Sequence, residues 1–154
     1  MSTSPPSLTP DGRGLRVGVV CSRFNDAVCS ALLADCRKRL LDLGVAEAGI
    51  VELRVPGALE IPVALLAMAQ SGRYSALVAL GAVVRGETYH FEVVSDTSAA
   101  GVLQVQMQTG VPVANGILTV DTDAQAEARM HSKGGEAAEA AVEMAVLLRG
   151  LAAS

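Results

Sequence analysis

Four short apolar runs, Leu15 to Cys21, Ile50 to Val55, Leu77 to Val84 and Val113 to Val120, each hand over to a segment whose apolar residues recur three and four apart. Strand followed by helix, repeated in this way, predicts a parallel sheet covered by helices, because parallel neighbours need a crossover long enough to hold a helix. Ala76 to Val84, which spans the third run, has the length and the Val, Leu and Ala content of a strand buried on both faces. A chain of 154 residues is the size of one domain with a substantial core. The predicted organisation is a mobile tail over residues 1–14, rich in Pro, Ser and Thr, and a single domain over residues 15–151.

After the first run, Asn25 or Asp26 is expected to cap a helix through Val28, Leu32, Leu33, Cys36, Leu40 and Leu43 that ends before Gly44. Ala58 to Gln70 reads as a second helix, with Pro62 tolerated in its first turn and Gly72 as its stop. A third is predicted from about Ser98 to Gln108. Thr122 and Gln125 offer a capping box for a helix carrying Arg129, and Gly134-Gly135 is expected to break that helix before a last one from Glu136 to Leu148.

Composition narrows the function. Charged residues make up 18% of the chain, against about 25% in an average soluble domain, while apolar residues reach 51%; the surplus points to burial between subunits. Every apolar stretch is interrupted before the roughly 18 residues a membrane helix needs, so a soluble protein is expected. The net charge is -4, the basic residues are scattered and aromatics make up 3%, which argues against nucleic acid as a partner. Cys21, Cys29 and Cys36 are spaced neither as a metal knuckle nor as a disulfide framework, so reduced, buried thiols and a cytoplasmic location are expected. With two histidines and no grouped cysteines, no metal site is predicted.

Three strand ends deposit unusual residues: Ser22-Arg23-Phe24-Asn25, Pro56-Gly57-Ala58-Leu59-Glu60 and Gly86-Glu87-Thr88-Tyr89-His90. In a parallel sheet these carboxyl ends share one rim, where open α/β sheets bind ligands. Phe24, in a polar turn, either offers a flat face to a planar heterocycle or folds onto the core. Glu60, near a helix N-terminus, is a carboxylate able to accept hydrogen bonds from hydroxyls, or simply a favourable terminal charge. Gly86 and Thr88 suit an oxyanion or phosphate, through close backbone N–H groups and a hydroxyl. His90 has the side chain best suited to moving protons at neutral pH, although a lone histidine is often structural. Arg85 reads as an ion-pair or carbonyl-binding residue, and Arg129 as a solvated charge.

Taken together, Ser22-Arg23-Phe24-Asn25, Val55-Pro56-Gly57-Ala58-Leu59-Glu60-Ile61-Pro62, the run from Gly81 to Phe91, and Asn115-Gly116-Ile117-Leu118-Thr119 with Gln125, Ala126 and Arg129 resemble the lumazine synthase family of riboflavin biosynthesis, in order over residues 16–149. The resemblance implies a flavodoxin-like three-layer αβα sandwich around a four-stranded parallel sheet. It implies a homopentamer or multiples of it, with active sites between subunits. The implied activity is that of a transferase needing no cofactor, which condenses 5-amino-6-(D-ribitylamino)uracil with 3,4-dihydroxy-2-butanone 4-phosphate to 6,7-dimethyl-8-ribityllumazine, releasing phosphate and water. By the same resemblance His90 is catalytic, Phe24 stacks on the pyrimidine, and Asn25, Ala58 and Glu60 hold the ribityl chain. Val83 and Val84 border the ring, Gly86, Glu87 and Thr88 hold the phosphate, and Arg129 is its charged partner, with Lys133 close by. Asn115 stands where many relatives carry a phenylalanine facing the neighbouring subunit, so it can hydrogen-bond the uracil but not stack on it. The alternatives are a riboflavin synthase acting by dismutation on this scaffold and a noncatalytic lumazine- or flavin-binding scaffold. A receiver domain is set aside because the first strand ends in Cys21-Ser22-Arg23 rather than an acidic pair.

Overall fold

The structure, a computed structural model, describes residues 9–154. The first eight residues of the expected tail lie outside the described residues; further along, the Gly12 N–H donates to the Leu43 carbonyl at 2.8 Å and Leu15 is buried. The elements are β1 (Val17–Ser22), α1 (Asp26–Asp42), β2 (Ile50–Val55), α2 (Ile61–Gln70), β3 (Ala76–Val84), α3 (His90–Thr109), β4 (Val113–Val120), α4 (Asp123–Arg129) and α5 (Lys133–Ala153). All strand pairs are parallel, in the order β2-β1-β3-β4, with Val17 beside both Ile50 and Ala76 and Leu77 beside Val113. This is the flavodoxin-like α/β sandwich.

Each face of the sheet has its own core. Val17, Val19 and Cys21 of β1 and Ala76, Val78 and Leu80 of β3 pack toward α1 and α5, meeting Leu32, Cys36, Leu40, Ala138 and Val142. The intervening residues Val20, Leu77 and Ala79 pack toward α2 and α3, meeting Ile61, Leu65, Val102 and Val105. The alternation is the two-residue period of a strand, here apolar on both sides. On α2 the buried residues Ile61, Leu65, Met68 and Ala69 fall at the spacing of one helical stripe, and Pro62 lies in the first turn, where its missing N–H costs nothing.

Two helices depart from the sequence expectation. α3 begins at His90, eight residues before Ser98, and its buried Val94, Ser98, Val102 and Val105 form one continuous stripe. His90 is therefore the first residue of a 20-residue helix and not a loop residue. The two glycines at 134 and 135 lie inside α5. Gly134 allows α5 to press on α1 so closely that a Cβ there would overlap the Leu32 carbonyl oxygen, and the Gly135 N–H donates to Asp35. Packing of the two helices outweighs the propensity cost of about 1 kcal/mol per glycine. The Thr122 hydroxyl accepts from the Gln125 N–H at 3.2 Å, giving α4 its expected cap.

Candidate functional site

The order β2-β1-β3-β4 changes direction between β1 and β3, and at the carboxyl ends of those strands lies a cavity of about 460 Å³. Phe24 and Asn25 line it from the turn after β1, Pro56 to Glu60 from the turn after β2, and Ala82 to Val84 from the end of β3. Gly86, Thr88, His90, Phe91 and Val94 close it from the turn and the first helical residues after β3.

Local hydrogen bonding locks these turns together. The Arg23 and Phe24 N–H groups donate to the carbonyls of Val55 and Pro56 at 2.9 and 3.2 Å, joining the first two turns. Asn25 adopts a left-handed conformation at φ 62°, which asparagine tolerates better than most residues, and its Nδ2 donates to the Ala82 carbonyl at 3.1 Å. It precedes α1, as expected, but braces β3 instead of capping the helix with its side chain. From below, Arg54 Nη2 donates to the Ser22 carbonyl at 3.1 Å and to Asp26 at 2.8 Å. The result is a rigid seat for Phe24, which is nonetheless 71% exposed. Of its two sequence readings, folding onto the core is therefore excluded.

The third wall is built from the turn after β3 and the start of α3. α3 starts at the cavity with no side-chain cap on Tyr89, so the positive end of its dipole lies beside the lining. The Thr88 hydroxyl lies 3.4 Å from the His90 N–H. Behind this wall Arg85 pairs with Asp121 and Glu92, which raise its pKa, Asp121 most. The Glu92 carboxyl is held below the usual range, first by its own backbone N–H and then by Arg85. Within α1, burial pushes the Cys36 thiol up to about 12, and all three cysteines are free and buried. Among the described residues no group of three or more His, Cys, Asp and Glu side chains could hold a metal ion, and no helix is long and apolar enough to cross a membrane.

Of the residues singled out in the sequence, Phe24, Asn25, Ala58, Glu60, Val83, Val84, Gly86, Thr88 and His90 line this one cavity. Glu87, Asn115, Arg129 and Lys133 do not. Asn115 is exposed on the edge strand β4, its Oδ1 accepting from the Ile117 N–H at 2.9 Å. Arg129 is exposed at the end of α4, with Nη1 donating to the Gln125 carbonyl at 2.9 Å, and Lys133 opens α5. Phe91 and Val94 were missed as lining residues. Their signal was present in the spacing of one and four from His90, which places all three on adjoining faces once the helix is started there.

A parallel α/β sandwich with an apolar cavity at its switch point, edged by one carboxylate, one imidazole and a helix N-terminus, has the make-up of a small-molecule-binding protein with groups suited to acid–base chemistry. The family model described as 6,7-dimethyl-8-ribityllumazine synthase matches residues 14–149. Proteins named 6,7-dimethyl-8-ribityllumazine synthase resemble the chain over most of its length. The one from Azoarcus sp. (strain BH72) is 56% identical over 139 residues, covering 90% of this chain and 89% of the relative. That from Cupriavidus metallidurans is 59% identical over 138 residues, covering 90% and 82%, and that from Nitrosomonas europaea 58% over 138 residues, covering 90% and 84%. The chain belongs to the 6,7-dimethyl-8-ribityllumazine synthase family.

Proposed function

We propose that this chain is an enzyme of riboflavin biosynthesis that condenses 5-amino-6-(D-ribitylamino)uracil with 3,4-dihydroxy-2-butanone 4-phosphate to 6,7-dimethyl-8-ribityllumazine, releasing phosphate and water. The observation that carries the reading is the convergence of Phe24, Glu60 and His90 on one cavity, in a chain that matches the family over residues 14–149. Phe24 stacks on the pyrimidine while Val83 and Val84 border it. Glu60 accepts hydrogen bonds from the ribityl hydroxyls beside Ala58, and Asn25, whose Nδ2 is already engaged with Ala82, offers its remaining polar atoms to the same chain.

The phosphorylated ketone enters with its phosphate toward Gly86, Glu87 and Thr88, where backbone N–H groups and the α3 N-terminus favour an anion. The aromatic amine attacks the ketone carbonyl, and loss of water gives an imine. His90 takes a proton from the carbon beside it as the C–O bond to phosphate breaks. The enol so formed tautomerises to a ketone, and the ribityl-bearing nitrogen closes the second ring with loss of water. Holding two substrates in register supplies much of the rate, and no cofactor takes part.

Arg129, Lys133 and Asn115 lie outside the cavity of their own chain, which supports a site completed by the adjoining subunit of a homopentamer, Arg129 gripping the phosphate bidentately. Exposed apolar side chains on α2 and α3 support that assembly, among them Val63, Leu103 and Met107, which is 74% exposed. One domain over residues 15–151 houses the apparatus, and the reduced thiols fit a cytoplasmic enzyme. The test supplies both substrates to purified protein and follows lumazine absorbance. Steady product formation that drops in His90→Ala with little change in substrate affinity is the expected result. Binding without product formation would overturn it.

A further inference from the structure

The third wall of the cavity is braced by a side chain that does not line it. Arg85 follows β3; its backbone N–H donates to the Val120 carbonyl at 2.8 Å, and its Nε donates to Asp121 Oδ1 at 2.7 Å, just past the end of β4. Its Nη1 donates to Glu92 Oε1 at 2.5 Å, and its guanidinium lies over the Phe91 ring, 4.4 Å from the centroid. Glu92 and Phe91 belong to the first turn of α3. The segment from 85 to 92 is thus closed on itself by one guanidinium anchored to the sheet, and Gly86, Thr88 and His90 lie within the closed span. Glu92 Oε2 is shut off from solvent without a hydrogen-bond partner, so the carboxylate is oriented through Oε1.

Magnitudes decide what such a clamp is for. Arg85 is about half exposed, and ion pairs at that exposure contribute roughly 0–1 kcal/mol to stability. A displacement of a reacting group by about 1 Å, in contrast, costs on the order of 100-fold in rate. Only a guanidinium suits the place, because its fork reaches carboxylates on two different elements while its flat face stacks on the ring. We propose that Arg85 is a positioning residue, which ties the first turn of α3 to the end of β4 and so holds the His90 imidazole over the reacting atoms. The inference rests on the reading of His90 as the proton carrier.

A double-mutant cycle on the condensation rate tests it, with Arg85→Met and Arg85→Lys each placed in the wild-type and His90→Ala backgrounds. Arg85→Met is expected to lower kcat by roughly 100-fold, while KM for the pyrimidine, whose contacts come mainly from the turns after β1 and β2, stays within about twofold. With alanine already at position 90 the same change is expected to cost less than about threefold, because both residues act on one step. Arg85→Lys keeps the charge but cannot bridge both carboxylates and stack at once, so only part of the rate should return; this variant carries the test if the methionine one does not fold. Equal losses in both backgrounds, or a wild-type rate for Arg85→Lys, would overturn the proposal. Failure of the parent reading is separately visible as full activity in His90→Ala alone.

Discussion

Replacing Phe24 by alanine separates binding from folding, because the residue is 71% exposed and yet sits on a turn fixed by four hydrogen bonds with neighbouring elements. A phenylalanine presents about 200 Å² when fully coverable, so about 140 Å² is open to a ligand. A stacked pyrimidine covers one face, about half of that, which at about 25 cal/mol per Å² amounts to about 1.8 kcal/mol. The figure falls within the roughly 1–3 kcal/mol found when aromatic partners of nucleobases are truncated, and corresponds to about a 20-fold weaker complex. The same substitution removes little buried surface from the free protein and should change unfolding stability by less than about 0.5 kcal/mol. Calorimetric titration with a ribitylaminouracil lacking the nucleophilic 5-amino group gives the first quantity, and denaturant unfolding the second. Affinity reduced less than about threefold, or a stability loss above about 1 kcal/mol, would refute the stacking role.

Other outcomes follow from the same geometry. Gly134→Ala should cost about 3 kcal/mol, at the upper end for overpacking because the obstacle is the Leu32 backbone and not a mobile side chain; a melting temperature lowered by about 6–12 °C would show it. Thr122→Ala removes the α4 cap and should cost about 1 kcal/mol in chemical unfolding. Because its own backbone N–H and then Arg85 hold the folded pKa of Glu92 below its unfolded value, the stabilisation these partners give is complete above the unfolded pKa and is lost as pH falls through the folded value. Glu92→Gln should therefore flatten the acid limb of stability against pH, and an unchanged limb would contradict it. Arg129→Ala should weaken the phosphorylated ketone more than the pyrimidine, as read by the two KM values.

Much of this was legible in the chain, for reasons that differ by element. The central strands β1 and β3 announced themselves because both faces are buried, which leaves runs such as Ala76 to Val84 without polar interruption. Their parallel order then brings the carboxyl ends together, so Phe24, Glu60 and His90 were traceable to one rim from connectivity alone. The beginning of α3 was not, because Gly86, Thr88 and His90 have the composition of a loop while the helix owes its first turn to Arg85, Phe91 and Glu92. Nor was α5, where two adjacent glycines read as a break and instead meet the backbone of α1 and the Asp35 carboxylate. At α5 a contact with another helix overrode local propensity, and at α3 the Arg85 clamp did. Arg85 itself shows the limit most clearly, since nothing in its sequence neighbourhood points to Asp121, thirty-six residues away.

The proposed sharing of the site between neighbouring subunits is most directly tested by complementation between two variants strongly impaired at low ketone concentration, His90→Ala and Arg129→Ala, coexpressed in equal amounts. In a mixed ring, a pocket with an intact imidazole from one subunit and an intact guanidinium from the next occurs about one time in four, so about a quarter of the wild-type condensation rate should return. A mixture no more active than the two variants assembled separately would contradict a cavity built by neighbouring chains.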